Sequence, residues 1–448
     1  MSAEQSARSI RQTDGLSPSQ ALQRVLYRSA KQDPQRKFHA LFDKVARSDI
    51  LWRAWGDVRF NRGAPGVDGI TVDAVEESGV EVFLSELAAE LVAGTYRPKP
   101  LRRVHIPKPG QPGKTRPLGI PCVRDRVVMA AAKIVLEPIF EADFRPVSFG
   151  FRPRRSAHQA LEVIRVEANR GAQWVLDADV SDCFGSIDQD ALLAQVARRV
   201  TDRRIHKLLR GWLRAGVLED GVVTETGSGT PQGSPISPLL ANIALHVLDV
   251  EWETTSQPLG VLVRYADDFV VLCTSRSRAE EARRRIVIIL TRLGLRLHPD
   301  KTRIVQLTNG QEGFDFLGFH HRMVESSKYR GRRYLHKWPS TRAMASIRAK
   351  IRQRTDRRRA SLALEAVVEQ LNLVLRGWGA YFRHGNSARK FVAIDSYVHE
   401  CLTRLAAEKY KVSRRRWSKR FDYAWVTRLG VYRLTGTIDY WTPAHARR

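Results

Sequence analysis

The sequence predicts an α+β fold in which an antiparallel sheet is backed by helices, and three observations carry that prediction. Residues 174–180 (WVLDADV) alternate with period two, setting Val175, Asp177 and Asp179 on one face and Leu176, Ala178 and Val180 on the other. Two nearly all-apolar runs, VLVRY (261–265) and FVVLC (269–273), flank Asp267 and Asp268 as the arms of a hairpin. Capped helical segments interleave with these strands, and no Gly-x-Gly-x-x-Gly loop marks a parallel dinucleotide-binding sheet.

In chain order, Ser17-Pro18-Ser19-Gln20 opens the first helix with a cap, a proline at the first helical position and a box-closing glutamine; Leu22, Val25 and Leu26 follow at helical spacing. Ser156 and Gln159 open another helix in the same way, and Gly171 stops it ahead of the 174–180 strand. Ser237-Pro238 starts LLANIALHVL (239–248), whose lack of surface charges predicts burial on several sides. After the hairpin, a helix from Ser277 to Gly294 turns Ala282, Ile286, Ile289, Leu290 and Leu293 inward and a row of arginines outward; FDFLGF (314–319) returns to strand. Composition shifts after about residue 325. The stretch from Lys328 to Arg359 holds thirteen Lys or Arg and one acid, Asp356, and that from Lys409 to Arg420 holds seven bases and no acid. Tyr329, Tyr334, Trp338, Tyr410 and Trp417 interleave with these bases, a pattern suited to backbone contact plus base stacking.

Lys plus Arg outnumber Asp plus Glu by 75 to 47 over 448 residues, a net charge of +28 that attracts and steers a polyanion. Nucleic acid is therefore the first partner to consider. No apolar run approaches the roughly 18 residues of a membrane span, and the N-terminal residues lack a secretory core, so a cytosolic protein is expected. Cys122, Cys183, Cys273 and Cys401 stand singly, without a Cys-x-x-Cys clip, and read as small buried hydrophobes.

Asp267 and Asp268 have two readings. One is a hydrated turn, where Asp is common. The other starts from the apolar arms, which bring the turn close to packed structure and raise the cost of two uncompensated charges. Arg264 is then a candidate counter-charge. Asp177 and Asp179 end another strand in the same way, and carboxylates converging from two strand ends form an oxygen-rich site for hard divalent cations, suited to Mg²⁺ bridging phosphates. That ligand set serves two-metal phosphoryl transfer.

Tyr265-Ala266-Asp267-Asp268 resembles the signature of reverse transcriptases, and the neighbouring blocks occur in that family's order. LDADVSDCFGSID (176–188) resembles the first palm motif, GTPQGSPISPLLANI (229–243) the second, LRLHPDKTRIV (295–305) the fourth and FDFLGF the fifth. RGAPGVDGI (62–70), HIPKPG (105–110) and KTRPLGIP (114–121) resemble the fingers blocks of group II intron reverse transcriptases, and LNLVLRGWGAYFRHGNSARKFVAIDSYV (371–398) resembles their maturase segment.

The resemblance implies a right-hand polymerase with an antiparallel palm sheet, followed by an α-helical thumb/maturase domain. It divides the chain into a helical N-terminal extension (1–60), fingers and palm (61–325), a basic helical thumb/maturase domain (326–408) and a basic tail (409–448) that contacts DNA. It makes Asp179 and Asp267 the main ligands of two Mg²⁺ ions, for which Mn²⁺ can substitute, with Asp268 the less demanding third. Lys108 and Arg116 fall where fingers cations hold the incoming dNTP, and Gln232 near the nucleotide. Phe184 falls where an aromatic wall excludes the 2′-hydroxyl of a ribonucleotide, and Lys301 where a lysine protonates the leaving pyrophosphate. Arg383, His384 and Asn386 are candidates for RNA contact, whereas Trp378, Tyr381 and Phe382 follow helical apolar spacing and are expected to pack the thumb. Ala266 fills the variable slot of the signature without implying lost activity.

Many members of the family end in a DNA endonuclease with histidine and paired-cysteine ligands; neither appears through Arg448, so second-strand cleavage is not expected. The function implied is an RNA-directed DNA polymerase encoded by a group II intron, copying the intron RNA and assisting its splicing, with an RNA template, a DNA primer and target DNA as further partners. Two alternatives are a domesticated polymerase serving repair or defence, and an RNA-binding splicing factor with a vestigial polymerase. Intact Asp179, Asp267 and Asp268 argue against the latter.

Overall fold

The computed structural model describes residues 15–107, 113, 115–224, 227–230, 233–307, 310–413 and 417–439. Along the chain, β1 (Leu101–Pro107) and β2 (Thr115–Ile120) form a hairpin, and β3 (Trp174–Asp179) follows two helices later. β4 (Val217–Glu219) and β5 (Val222–Thr224) form a second hairpin, β6 (Val261–Tyr265) and β7 (Asp268–Cys273) a third, and β8 (Arg303–Gln306) comes next. β9 (Gly313–Phe316), β10 (Phe319–Glu325) and β11 (Arg333–Pro339) run as a meander. These strands assemble into an N-terminal sheet (β2-β1-β4-β5), a central sheet (β6-β7-β3-β8) and a third sheet (β11-β10-β9).

The central sheet is antiparallel throughout, as the sequence predicts. Its two faces pack against different cores. Leu176, Ala178, Leu262, Phe269 and Val271 join the N-terminal helices, whereas Val175, Val263, Val270, Leu272 and Val305 join the third sheet and the C-terminal helices. This double burial explains why the arms of the hairpin are apolar at nearly every position rather than at every second one. Each fully buried Val or Leu contributes about 1.5–3 kcal/mol relative to leaving it in water. The face of β3 that carries Asp177 and Asp179 is thus covered at Val175, and only its carboxylate end reaches solvent.

The predicted caps form. Ser17 and Gln20 close a capping box on the helix Pro18–Gln32, and Ser156 and Gln159 close one on Ala157–Asn169. The helix Ser237–Glu251 is buried along most of its length, and Arg276–Arg292 begins at a Ser275 cap, two residues before the expected start. All four cysteines are free and buried.

Several expectations need correction. FDFLGF is not one strand: β9 ends at Phe316, Leu317 and Gly318 turn the chain with φ of +49° and +78°, and β10 restarts at Phe319. The Tyr381 hydroxyl donates to the Leu317 carbonyl at 2.8 Å and holds this turn from the neighbouring helix. The region from 326 is not purely helical, because alternation in RYLHKWP buries Leu335, Lys337 and Pro339 and makes β11 an edge strand of the third sheet. Residues 1–60 are no separate extension where described: Leu26, Ile50, Leu51 and Trp55 share one core with Val127 and Val128 of the helix Val123–Glu141.

The chain after residue 408 is likewise no detached tail. Phe421, Val426, Val431 and Leu434 are buried in the core that holds Leu371, Leu375 and Phe391 of the long helices Leu364–Phe382 and Ala388–Tyr410. The Leu434 and Thr435 backbone N–H groups donate to the Asp395 carboxylate at 3.0 and 2.9 Å, which fastens the segment. Among the interleaved aromatics, Tyr329, Tyr334 and Tyr410 are exposed, but Trp338 lies against His320 and Trp417 donates to the Val412 carbonyl. Trp378, Tyr381 and Phe382 pack the C-terminal core, as expected. Leu434→Ala is expected to destabilise the protein by about 2–5 kcal/mol, read as a lowered unfolding midpoint in urea; a change confined to nucleic-acid affinity would contradict this packing.

Candidate active site

Asp179 is the last residue of β3 and Asp268 the first of β7, and the antiparallel register pairs them. Cross-strand partners project on the same face, so two carboxylates remote in sequence meet there. Asp268 also pairs with Tyr265 of β6 across the two-residue turn Ala266-Asp267, where Ala266 is left-handed at φ +59°. Asp267 therefore sits at the tip, beside the pair.

The local charges follow from this geometry. Burial and the repulsion of Asp179 raise the Asp267 carboxyl, against the pull of its own backbone N–H, Arg116 and Lys301. Protein atoms around the Asp268 carboxyl, then the charges of Asp267 and Asp179, push it up to about 7. The residue keeps an exposed edge, and repulsion from the neighbouring carboxylates adds to burial in holding its proton. Asp177, one pleat behind, rises to about 6 through burial, although Arg303 Nε donates to it at 3.2 Å. Lys301 Nζ donates to Asp179.

Arg264 is not the counter-charge of the pair. Its side chain points to the opposite face of β6 and is fully buried against Asp249 of the helix Ser237–Glu251, with Nε to Oδ1 at 2.7 Å. The cations at the site come from other elements: Lys301 and Arg303 from the β8 side of the sheet, and Arg116 from β2. The pair Arg264–Asp249 had a signal in the sequence, since Arg264 is the single charge of β6 and Asp249 shares its largely apolar helix with only one other charged residue, Glu251.

Beyond Asp179, the short helix Cys183–Ser186 carries Phe184, which is partly buried against the N-terminal core. Its carbonyl accepts from Thr230 N at 2.6 Å, and a Cβ on Gly229 would lie 2.7 Å from that oxygen, so the 229–230 backbone is pressed onto the Phe184-Gly185 segment. A cavity of about 220 Å³ opens here between the N-terminal sheet and this segment, lined by Arg103, Pro117, Asp182, Gly185, Gly229 and Thr230.

Comparison with known proteins fits this geometry. Residues 106–321 match the family "Reverse transcriptase (RNA-dependent DNA polymerase)", and residues 344–423 match "Group II intron, maturase-specific domain". Protein YkfC of Escherichia coli is 34% identical over 69% of this chain and 89% of its own length. Group II intron-encoded protein LtrA of Lactococcus lactis subsp. cremoris is 37% identical over 52% of this chain and 38% of its own, so the match spans well under half of that relative. An uncharacterized 91 kDa protein in the cob intron of Schizosaccharomyces pombe is 36% identical over 46% of this chain and 25% of its own. The chain belongs to the group II intron reverse transcriptase/maturase family. It is an RNA-directed DNA polymerase, a nucleotidyltransferase, with a maturase-specific domain after it.

In this reverse transcriptase the site brings Asp179, Asp267, Asp268 and Lys301 together with Arg116 near enough to act on Asp267, and Phe184 follows Asp179 on the short helix Cys183–Ser186. Lys108 and Gln232 lie outside the described residues. Arg383, His384 and Asn386 are engaged within the chain. Arg383 Nη2 donates to Asp439 at 2.8 Å, His384 Nδ1 lies 2.6 Å from the Asp439 carbonyl, and Asn386 Oδ1 accepts from Lys337 N at 3.1 Å. Among the described residues no three His, Cys, Asp or Glu side chains are already drawn into a metal cluster. The donor chemistry nevertheless fits the divalent ions this family uses, because the charge of Asp179 raises Asp267, both raise Asp268, and a hard dication relieves that repulsion.

Asp268 titrates near 3.8 in the unfolded chain and near 7 in the folded one, so the metal-free folded state holds the extra proton between those values. Stability in EDTA is expected to fall as pH rises from about 4 to 7. Asp268→Asn should flatten that fall in thermal melts across the window; parallel pH profiles for the two proteins would contradict the assignment.

Proposed function

We propose that this reverse transcriptase joins dNTPs to a DNA primer on an RNA template at Asp179, Asp267 and Asp268, and binds its group II intron RNA through the C-terminal half. The observation that carries the polymerase assignment is the register pairing of Asp179 with Asp268, with Asp267 at the adjoining turn. On this reading the central sheet is the palm, the N-terminal sheet and helices are the fingers, and the helices from Thr341 onward are the thumb.

Two Mg²⁺ ions, or Mn²⁺ in their place, would be held by Asp179 and Asp267 with Asp268 alongside, and supply Lewis acidity at the primer hydroxyl and the triphosphate. The remaining work falls to the chain. Arg116 on β2 faces the carboxylates across the cleft and offsets charge on the triphosphate, a role Lys108 and Gln232 share on their motif positions. Lys301, now bonded to Asp179, is a cation within the site that can give a proton to the departing pyrophosphate. Phe184, whose backbone carbonyl is tied to Thr230 N, would present its ring to the sugar and exclude a 2′-hydroxyl.

For the intron RNA, Arg383, His384 and Asn386 act indirectly, by shaping the surface through Asp439 and Lys337. Phosphate contact falls instead to exposed bases such as Arg348, Lys350 and Arg357, on and just beyond the helix Thr341–Arg354.

Asp267→Ala is expected to cut dNTP incorporation on an RNA template by at least about 10³-fold while intron RNA is still retained on a filter; an inactive wild type in the same assay would favour a splicing-only protein. Phe184→Ala should raise incorporation of ribonucleotides relative to deoxyribonucleotides by about tenfold or more. Unchanged sugar preference would remove the gate assignment.

A further inference from the structure

Behind the Ala266-Asp267 turn lies a fully buried polar relay that no step of the proposed chemistry uses. Arg264 spends its guanidinium on three partners: Nε and Nη2 on the two Asp249 oxygens at 2.7 and 2.5 Å, and Nη1 on Asn242 Oδ1 at 3.1 Å and the Ala266 carbonyl at 2.9 Å. Arg264 and Asp249 have no exposed surface and Asn242 has 2%. The Asn242 amide in turn donates to the Gly150 carbonyl at 2.8 Å. The 147–150 segment runs along the edge of β6, with Arg264 N donating to the Val147 carbonyl at 2.8 Å and Phe149 N to the Arg264 carbonyl at 2.9 Å. It presses so close that a Cβ on Gly150 would fall 2.4 Å from Ala266 N.

This arrangement converges on one backbone group. Ala266 is left-handed, a conformation that its Cβ disfavours, and its carbonyl is bonded directly by Arg264. A turn that departs from this conformation swings Asp267 relative to Asp179 and Asp268. Asp249 neutralises Arg264 and locks its fork, and Asn242 sets the plane of the guanidinium while tying it to the 147–150 segment.

We propose that Arg264, Asp249 and Asn242 are positioning residues, which hold the strained Ala266 turn from behind and so fix Asp267 where it meets Asp179 and Asp268. The proposal rests on the polymerase reading, and the test separates the two. Wild-type primer extension that Asp267→Ala abolishes establishes the polymerase site independently of the relay.

With that control in hand, Asn242→Ala is expected to lower kcat at least about tenfold with the primer–template KM held within about twofold, the pattern of a group that acts on the transition state and not on uniform binding. Mn²⁺ affinity measured by calorimetry without nucleic acid should weaken in parallel. Adding Ala266→Gly should recover a large part of both losses, because glycine adopts φ near +60° without the Cβ penalty. Undiminished kcat and Mn²⁺ affinity per folded molecule, or losses that Ala266→Gly leaves untouched, overturn the proposal. Should Asn242→Ala not fold, Gly150→Ala serves in its place. It pushes a methyl onto Ala266 N with the Arg264–Asp249 pair intact; full kcat and full Mn²⁺ affinity in that variant refute the idea.

Discussion

The pairing of β3 with β7, in the one register that sets Asp179 opposite Asp268, is the constraint on which the rest of the molecule depends. A slip by one residue would turn Asp179 into the core and Ala178 toward the cleft, since side chains alternate strictly along a strand. The register is held by burial on both faces. Val175 and Leu272 meet in the C-terminal core, Leu176 and Val271 in the N-terminal one, so any slip exchanges apolar contacts on two sides at once. Both cores thereby act on the position of two carboxylates.

The cost of collecting like charges at that point is met by cations from three different places in the fold. Lys301 follows the helix Arg276–Arg292, Arg303 opens β8, and Arg116 reaches over from the N-terminal sheet. These partners are exposed or half-exposed and can be exchanged for a ligand. The Arg264–Asp249 pair behind the turn is of the other kind, fully dry and fully bonded, and it acts on backbone rather than on substrate. The central sheet thus has exchangeable electrostatics at its carboxylate end and fixed electrostatics behind the turn.

The large positive charge is spread over a C-terminal half whose own core is continuous with the central sheet. Val175, Val263 and Val270 belong to the same cluster as Leu371, Phe391 and Leu434, so a polyanion held on the basic helices bears on elements packed directly against the sheet of the active site. The proposed palm and thumb meet through apolar contact and through the Leu317-Gly318 turn beneath Tyr381, not through a linker.

By itself the sequence determined the caps, the apolar hairpin, the period-two strand and the ordered motifs, because each is written in residues close to one another along the chain. Asp179, Asp267 and Asp268 were legible for that reason, as was the preference for a polyanionic partner. What only the tertiary structure decided are relations between distant segments. It gave Arg264 to Asp249 rather than to the aspartate pair, bound Lys301 to Asp179, and turned Arg383, His384 and Asn386 inward to Asp439 and Lys337. It also drew Phe421, Val426, Val431 and Leu434 into a core where the basic composition around them had suggested a DNA-contacting tail. A charged side chain in a sequence carries no sign of which face of which strand it will leave by, and the partner it finds is set by packing that brings segments together from opposite ends of the chain.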